Sequence, residues 1–185
     1  MKRSMIFVSL CVLATSGTAL AEPRDSGGDS RHENDDSGGP GGTRLAFDLD
    51  YVNGLEPGVE GGMGGAIRFG REYDLVLLSL TPEFMGSYHQ FSGAGDPTQF
   101  AGMAGGRATL GKIIEPGVFA HVGAGHASLP ADDLTGIAMD LGVTLDLTLI
   151  PILDIGVHGA YDAITWADEG TFDSYRVGAH VAIAP

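Results

Sequence analysis

Cysteine is nearly absent from this chain: Cys11 is the only one in 185 residues. Lysine occurs only at Lys2 and Lys112, and tryptophan only at Trp166. A single thiol excludes a disulfide framework, so stability has to come from backbone pairing and from the surrounding solvent. Basic residues are scarce, ten against 24 acidic ones, and the formal net charge is −14. That excludes the basic patch nucleic-acid phosphates require and disfavours simple attraction to anionic lipid head groups. Long apolar runs are missing as well. The stretch Met5 to Ala14 is too short to cross ~30 Å of hydrocarbon as a helix.

That stretch lies between Lys2-Arg3 and the small-x-small site Ala19-Leu20-Ala21, the layout of a cleaved secretory signal over residues 1–21. Cleavage takes Cys11, Lys2 and Arg3 with it and leaves a thiol-free chain of charge −16. Leu10 before Cys11 does not suit lipidation. Residues 22–43, EPRDSGGDSRHENDDSGGPGGT, hold no aliphatic or aromatic side chain. Such a segment cannot bury apolar surface to offset its ordering entropy and reads as a disordered acidic tail. Its Asp, Asn and Gly lack the spacing of a calcium loop. Apolar residues return at Arg44, so residues 44–185 form the domain.

Within that domain eight segments alternate apolar and non-apolar residues, as strands must. They are Arg44–Val52, Glu60–Arg71, Asp74–Tyr88, Gln99–Gly111, Pro116–Gly125, Thr135–Leu147, Ile152–Tyr161 and Ser174–Ala184. Most are near the ~9–11 residues a tilted membrane strand needs. One face carries Leu45, Phe47, Leu49 and Tyr51, then Val76, Leu78, Leu80 and Phe84. It is clearest in Ile137, Met139, Leu141, Val143, Leu145 and Leu147. No charge is expected on this face. The other face is glycine, alanine and scattered charge, without lysine. A soluble barrel would show a Lys/Glu/Thr-rich exterior. Apolar outside and small or polar inside fits a membrane barrel instead.

Connection lengths agree. Tight turns are expected at Arg71–Asp74, Lys112–Glu115 and Thr148–Pro151. Longer loops are expected at Asn53–Val59, His89–Thr98, His126–Leu134 and Asp162–Asp173. Short periplasmic turns and long external loops are the membrane-barrel habit. Tyr51, Tyr88, Phe100, Tyr161 and Tyr175 share a height near the long loops and read as an interfacial girdle; Phe69 and Tyr73 are candidates for a thinner second one. Pro82 cannot donate to a ladder, so a bulge or local break is expected there.

The signal, strand count, loop alternation and alternating final strand SYRVGAHVAIAP make residues 44–185 resemble the small eight-stranded outer-membrane barrels of Gram-negative bacteria, the OmpA transmembrane-domain and OmpX type. The resemblance implies an all-β, antiparallel up-and-down transmembrane β-barrel in the outer membrane. Its implied partners are outer-membrane lipid and the barrel-assembly machinery. The chain departs from the pattern at Pro185, where that type closes on Phe or Trp.

The inward ionisable residues are Asp48, Asp50, Arg68, Glu83, Arg107, His121, Asp140, Asp146, Asp154, His158, Arg176 and His180. An eight-stranded barrel is just wide enough for its own side chains, and buried charge is costly unless paired. A mutually paired lumen plug is therefore expected rather than a pore. The three inward histidines are read as partners of aspartates, with Asp140 or Asp154 the candidates, and no metal or other cofactor is expected. His126-Ala127-Ser128 resembles the His and Ser of outer-membrane lipid A deacylases in two residues only. The functional expectation is a monomeric, non-enzymatic barrel with a structural or surface-interaction role. Its external loops would carry that role through tips such as Asp96, Asp132, Asp133, Trp166, Asp168 and Glu169. The alternatives are a soluble secreted barrel binding a small apolar ligand, and a lipid A-modifying hydrolase.

Overall fold

The computed structural model describes residues 40–93, 95–129, 133–150, 152–166 and 170–183. The expected signal segment, the tail to residue 39, the tip residues Asp132, Asp168 and Glu169, and Pro185 lie outside them. Eight antiparallel strands close in chain order: β1 Pro40–Gly54, β2 Val59–Leu75, β3 Leu78–Gly93, β4 Thr98–Leu110, β5 Ile114–Ser128, β6 Asp133–Ile150, β7 Leu153–Trp166 and β8 Gly170–Ile183. Closure is made by β1 on β8, from Leu45↔Ile183 to Gly54↔Ser174.

The apolar face points outward. Leu141, Val143, Val157 and Phe84 are more than half exposed, whereas Asp140 and His158 are buried. In water that exterior would be a large apolar patch without cover; in lipid it is the matching surface, and the fold is that of a transmembrane barrel. Tyr88 pairs with Phe100 and Tyr161 with Tyr175, all on the outside, so the aromatic row is a physical belt. Phe69 and Tyr73 are exposed toward the other end.

Two expectations need correction. First, the strands run 13–18 residues, longer than a hydrocarbon crossing needs, and they absorb most of the long loops. The connections shrink to 55–58, 94–97, 129–132 and 167–169 at one end. Trp166 is not a free tip: it belongs to β7 and packs on buried residues. Second, the chain does not turn at Arg71–Asp74. Those residues continue β2, where Ser79 Oγ donates to Asp74 across the ladder at 2.8 Å. The reversal comes at Val76–Leu77, with Leu77 N donating to Leu75 O at 2.6 Å. Arg71 faces outward beyond Phe69, so the outer face does carry charge at this end, whereas Asp74 keeps the inward parity of Ser79. The interruption expected at Pro82 is present as a local break on one side of β3. The β3–β4 ladder runs through Pro82↔Gly106, and only the β2–β3 ladder loses pairs, between Gly70↔Glu83 and Tyr73↔Leu80. The gap falls where the unshifted register sets Arg71 opposite the missing N–H.

Val76 holds φ at 58° at the turn centre, a conformation a β-branched residue adopts only under strain. Val76→Gly should raise the unfolding free energy of the barrel by about 1 kcal/mol, read as a later urea midpoint at unchanged slope.

Candidate functional site

The lumen has two zones. Toward the strand tips it is largely apolar. Val52, Phe91, Ile164 and Phe172 are at most 2 % exposed, and Phe91 meets Phe172 edge-on with centroids 5.4 Å apart. Met85, Met103 and Ala138 continue this plug downward. These residues keep the inward parity of their strands but are apolar. The plug was not read in the sequence, because inward was expected to mean polar.

Below it lies a charge lattice. All twelve ionisable residues read as inward point into the lumen, and eleven of them are classed as buried; the side chain of the twelfth, Asp48, is 3 % exposed. Each arginine takes more than one acid. Arg68 grips Asp48 with two hydrogen bonds of 2.8 and 2.7 Å and reaches toward Glu83 at 3.6 Å. Arg107 lies 3.0 Å from Asp146 and 3.7 Å from Glu83. Arg176 holds Asp140 and stands 3.5 Å from Asp162. Arg44 spans Asp146 and Asp154, each at 3.2 Å, and Glu72 at 3.4 Å. Phe119 fills the space between Arg107 and Arg176, whose guanidinium carbons lie 5.7 and 5.9 Å from its ring. Guanidinium over an aromatic face is favourable in such a desolvated setting.

The histidines divide into two kinds. His121 is held between Asp140 at 2.7 Å and Glu83 at 3.0 Å. His89 Nε2 lies 3.1 Å from Asp50. His158 and His180 instead turn their Nδ1 atoms toward each other, 3.3 Å apart, with Nε2 near Asp50 at 2.8 Å and near Asp146 at 3.0 Å respectively. Of the two acids expected to partner histidine, Asp140 does and Asp154 is taken by Arg44. Within the lattice eight carboxylates (six in the body of the lumen, with Asp154 and Glu72 near the turns) stand against four arginines. Arg44, His89, Phe119 and Asp162 were absent from the expected set. His89 and Asp162 sat in segments read as loops, although counting by two from Glu83 and from His158 reaches both.

His126 and Ser128 lie at the tip end of β5. His126 Nδ1 is 2.9 Å from Thr135 Oγ1, and Ser128 Oγ donates to Asp133 at 2.7 Å. The histidine therefore engages a hydroxyl of β6, and the serine engages an acid instead of the histidine.

Neisserial surface protein A (NspA) is similar to this chain over 80 % of its length and 99 % of NspA, with a TM-score of 0.59 at 16 % identity. This chain has the fold of the small eight-stranded outer-membrane barrels. The outer membrane enzyme PagL shares the barrel, with a TM-score of 0.51 at 14 % identity over 74 % of this chain and 97 % of PagL. At such identities the likeness is one of fold. No protein-family model matches the chain, and neither does any curated protein.

Proposed function

We propose that this barrel is a monomeric, non-enzymatic component of the outer membrane with a structural or surface-contact role. The observation that supports it is the filled lumen: an apolar plug above a lattice of charged side chains occupies the barrel axis. Enclosed charge of this kind is tolerated only when paired, and it resists hydration by a passing solute. Surface contact would fall on the strand tips, with Asp96 and Asp133 among the exposed residues there. Surrounding lipid and the assembly machinery that inserts such barrels are its partners in this reading. Membrane fractionation combined with heat-modifiable gel migration tests the location; recovery of folded protein from the aqueous phase without detergent would refute it. In planar bilayers the protein should give no discrete conductance steps, and reproducible unitary steps would refute the closed lumen.

A lipid-modifying hydrolase is the second reading, favoured by His126 and Ser128 lying two residues apart on one strand near the aromatic belt. A hydrolytic serine needs its base in reach, and the base needs an orienting acid. Here the serine is bonded to Asp133 and the histidine to Thr135. Expressed protein should leave lipid A unchanged, and His126→Ala should be indistinguishable from wild type. Deacylation by the wild type that disappears in His126→Ala would overturn the non-enzymatic reading.

A further inference from the structure

We infer that His158, His180 and Asp48 form a binding site for one divalent transition-metal ion inside the lumen. The two histidines come from a repeated triplet, Gly156-Val157-His158 on β7 and Gly178-Ala179-His180 on β8. Antiparallel pairing sets Gly156 beside His180 and His158 beside Gly178, so each ring lies over a glycine. A Cβ on Gly178 would stand 2.8 Å from His158 Cε1, and one on Gly156 would stand 2.6 Å from His180 Cε1. Any other residue would fill the space that lets these rings face each other.

Their facing geometry is what calls for an ion. Asp50 lies 2.8 Å from His158 Nε2 and Asp146 lies 3.0 Å from His180 Nε2, the latter off the angle of a good hydrogen bond. Both carboxylates favour a proton on Nε2, as the outer carboxylates of metal-bound histidines do. That leaves a lone pair on each Nδ1, aimed across 3.3 Å at its twin. Two lone pairs so placed repel unless an electrophile lies between them. Metal–nitrogen bonds of ~2.0–2.1 Å spanning that gap close at about 107°, near the tetrahedral angle. Asp48 supplies an oxygen: one ligand atom from each of the three residues lies within 4.8 Å of the others. Arg68 fixes that carboxylate with its paired hydrogen bonds.

Charge gives an independent reason. The eight lattice carboxylates exceed the four arginines by four, with His121 set between two of them. Uncompensated negative charge is costly when buried, and a divalent cation beside Asp48 offsets part of the excess. Two imidazoles and a carboxylate suit zinc, cobalt or nickel better than calcium or magnesium.

The test uses the full chain folded in detergent micelles in metal-free buffer, with Co2+ as an optical probe and Zn2+ as competitor. Because the site is enclosed, metal is added both before and after folding. One Co2+ per chain with tetrahedral ligand-field bands, displaced by one Zn2+, is expected. His158→Gln and His180→Gln should each weaken binding at least tenfold, and so should Asp48→Asn, which preserves shape if a histidine variant fails to fold. Zn2+ should raise the urea midpoint of the wild type and not of the variants. His32→Ala in the tail and His126→Ala on the outside should bind as wild type. Absence of stoichiometric Co2+ binding by either route would leave the two rings sharing only a proton and overturn the site. So would binding that survives the lumen variants or disappears with His32 or His126.

Discussion

Asp146→Ala is expected to lower the unfolding free energy of the barrel by about 3–5 kcal/mol, the cost of breaking a buried ion pair from one side. Asp146 is 1 % exposed and is shared by Arg44 at 3.2 Å, Arg107 at 3.0 Å and His180 at 3.0 Å. Alanine removes the acid common to two arginines and leaves both buried. Arg107 retains only a 3.7 Å approach to Glu83. Asp154→Ala is the comparison. Its side chain is 11 % exposed and meets Arg44, which keeps Asp146 and Glu72. A loss of about 1 kcal/mol is expected there, as for a pair within reach of solvent. Urea titration in detergent, followed by circular dichroism and by heat-modifiable migration, measures both. Equal small losses would mean the lattice is hydrated and adds little.

The second large effect belongs to the outer face. Leu141→Arg should cost about 2–4 kcal/mol in a bilayer, the penalty for a guanidinium near the midplane of a transmembrane barrel. Leu141 is 64 % exposed on β6, opposite Ala120 on β5 and Tyr161 on β7. Leu141→Phe exchanges one apolar surface for another and should change stability by less than about 0.5 kcal/mol. Refolding yield and urea midpoint in vesicles report both. If arginine is tolerated as well as phenylalanine, the outer surface meets water.

The same physics explains how far the sequence could be read. β6 is transparent: its alternation from Ile137 to Leu147 names both faces and nearly both ends. The difficulty lies above the aromatic belt. There the exterior is no longer the apolar side: Asn53, Gln90, His126 and Thr135 face out, while Val52, Phe91 and Leu134 face in. Strand parity continues across the belt, but the polarity of the two faces is exchanged. A reading that equates apolar with outward loses the strand at that height and sees a loop. That is why 89–98 and 162–173 were read as loops and why His89, Asp162 and the Phe91–Phe172 plug were missed. At the other end a turn was expected at Arg71–Asp74, yet Asp74 is satisfied by Ser79 within the ladder. The lumen set was legible because parity alone places Asp48, His158 and Arg176 inside. Who pairs with whom was not, since register across strands decides it. The facing of His158 and His180 had one visible trace, the G-x-H triplet present on both final strands.

Fluorescence of a tryptophan placed at Leu141, in a Trp166→Phe background, tests most directly which side of the sheet meets acyl chains. In vesicles of phospholipid brominated along the chain, emission should be strongly quenched by the lipid and little affected by aqueous acrylamide. Strong acrylamide quenching with no response to bromine would put the apolar face in contact with water or enclosed by protein, and would contradict the transmembrane barrel outright.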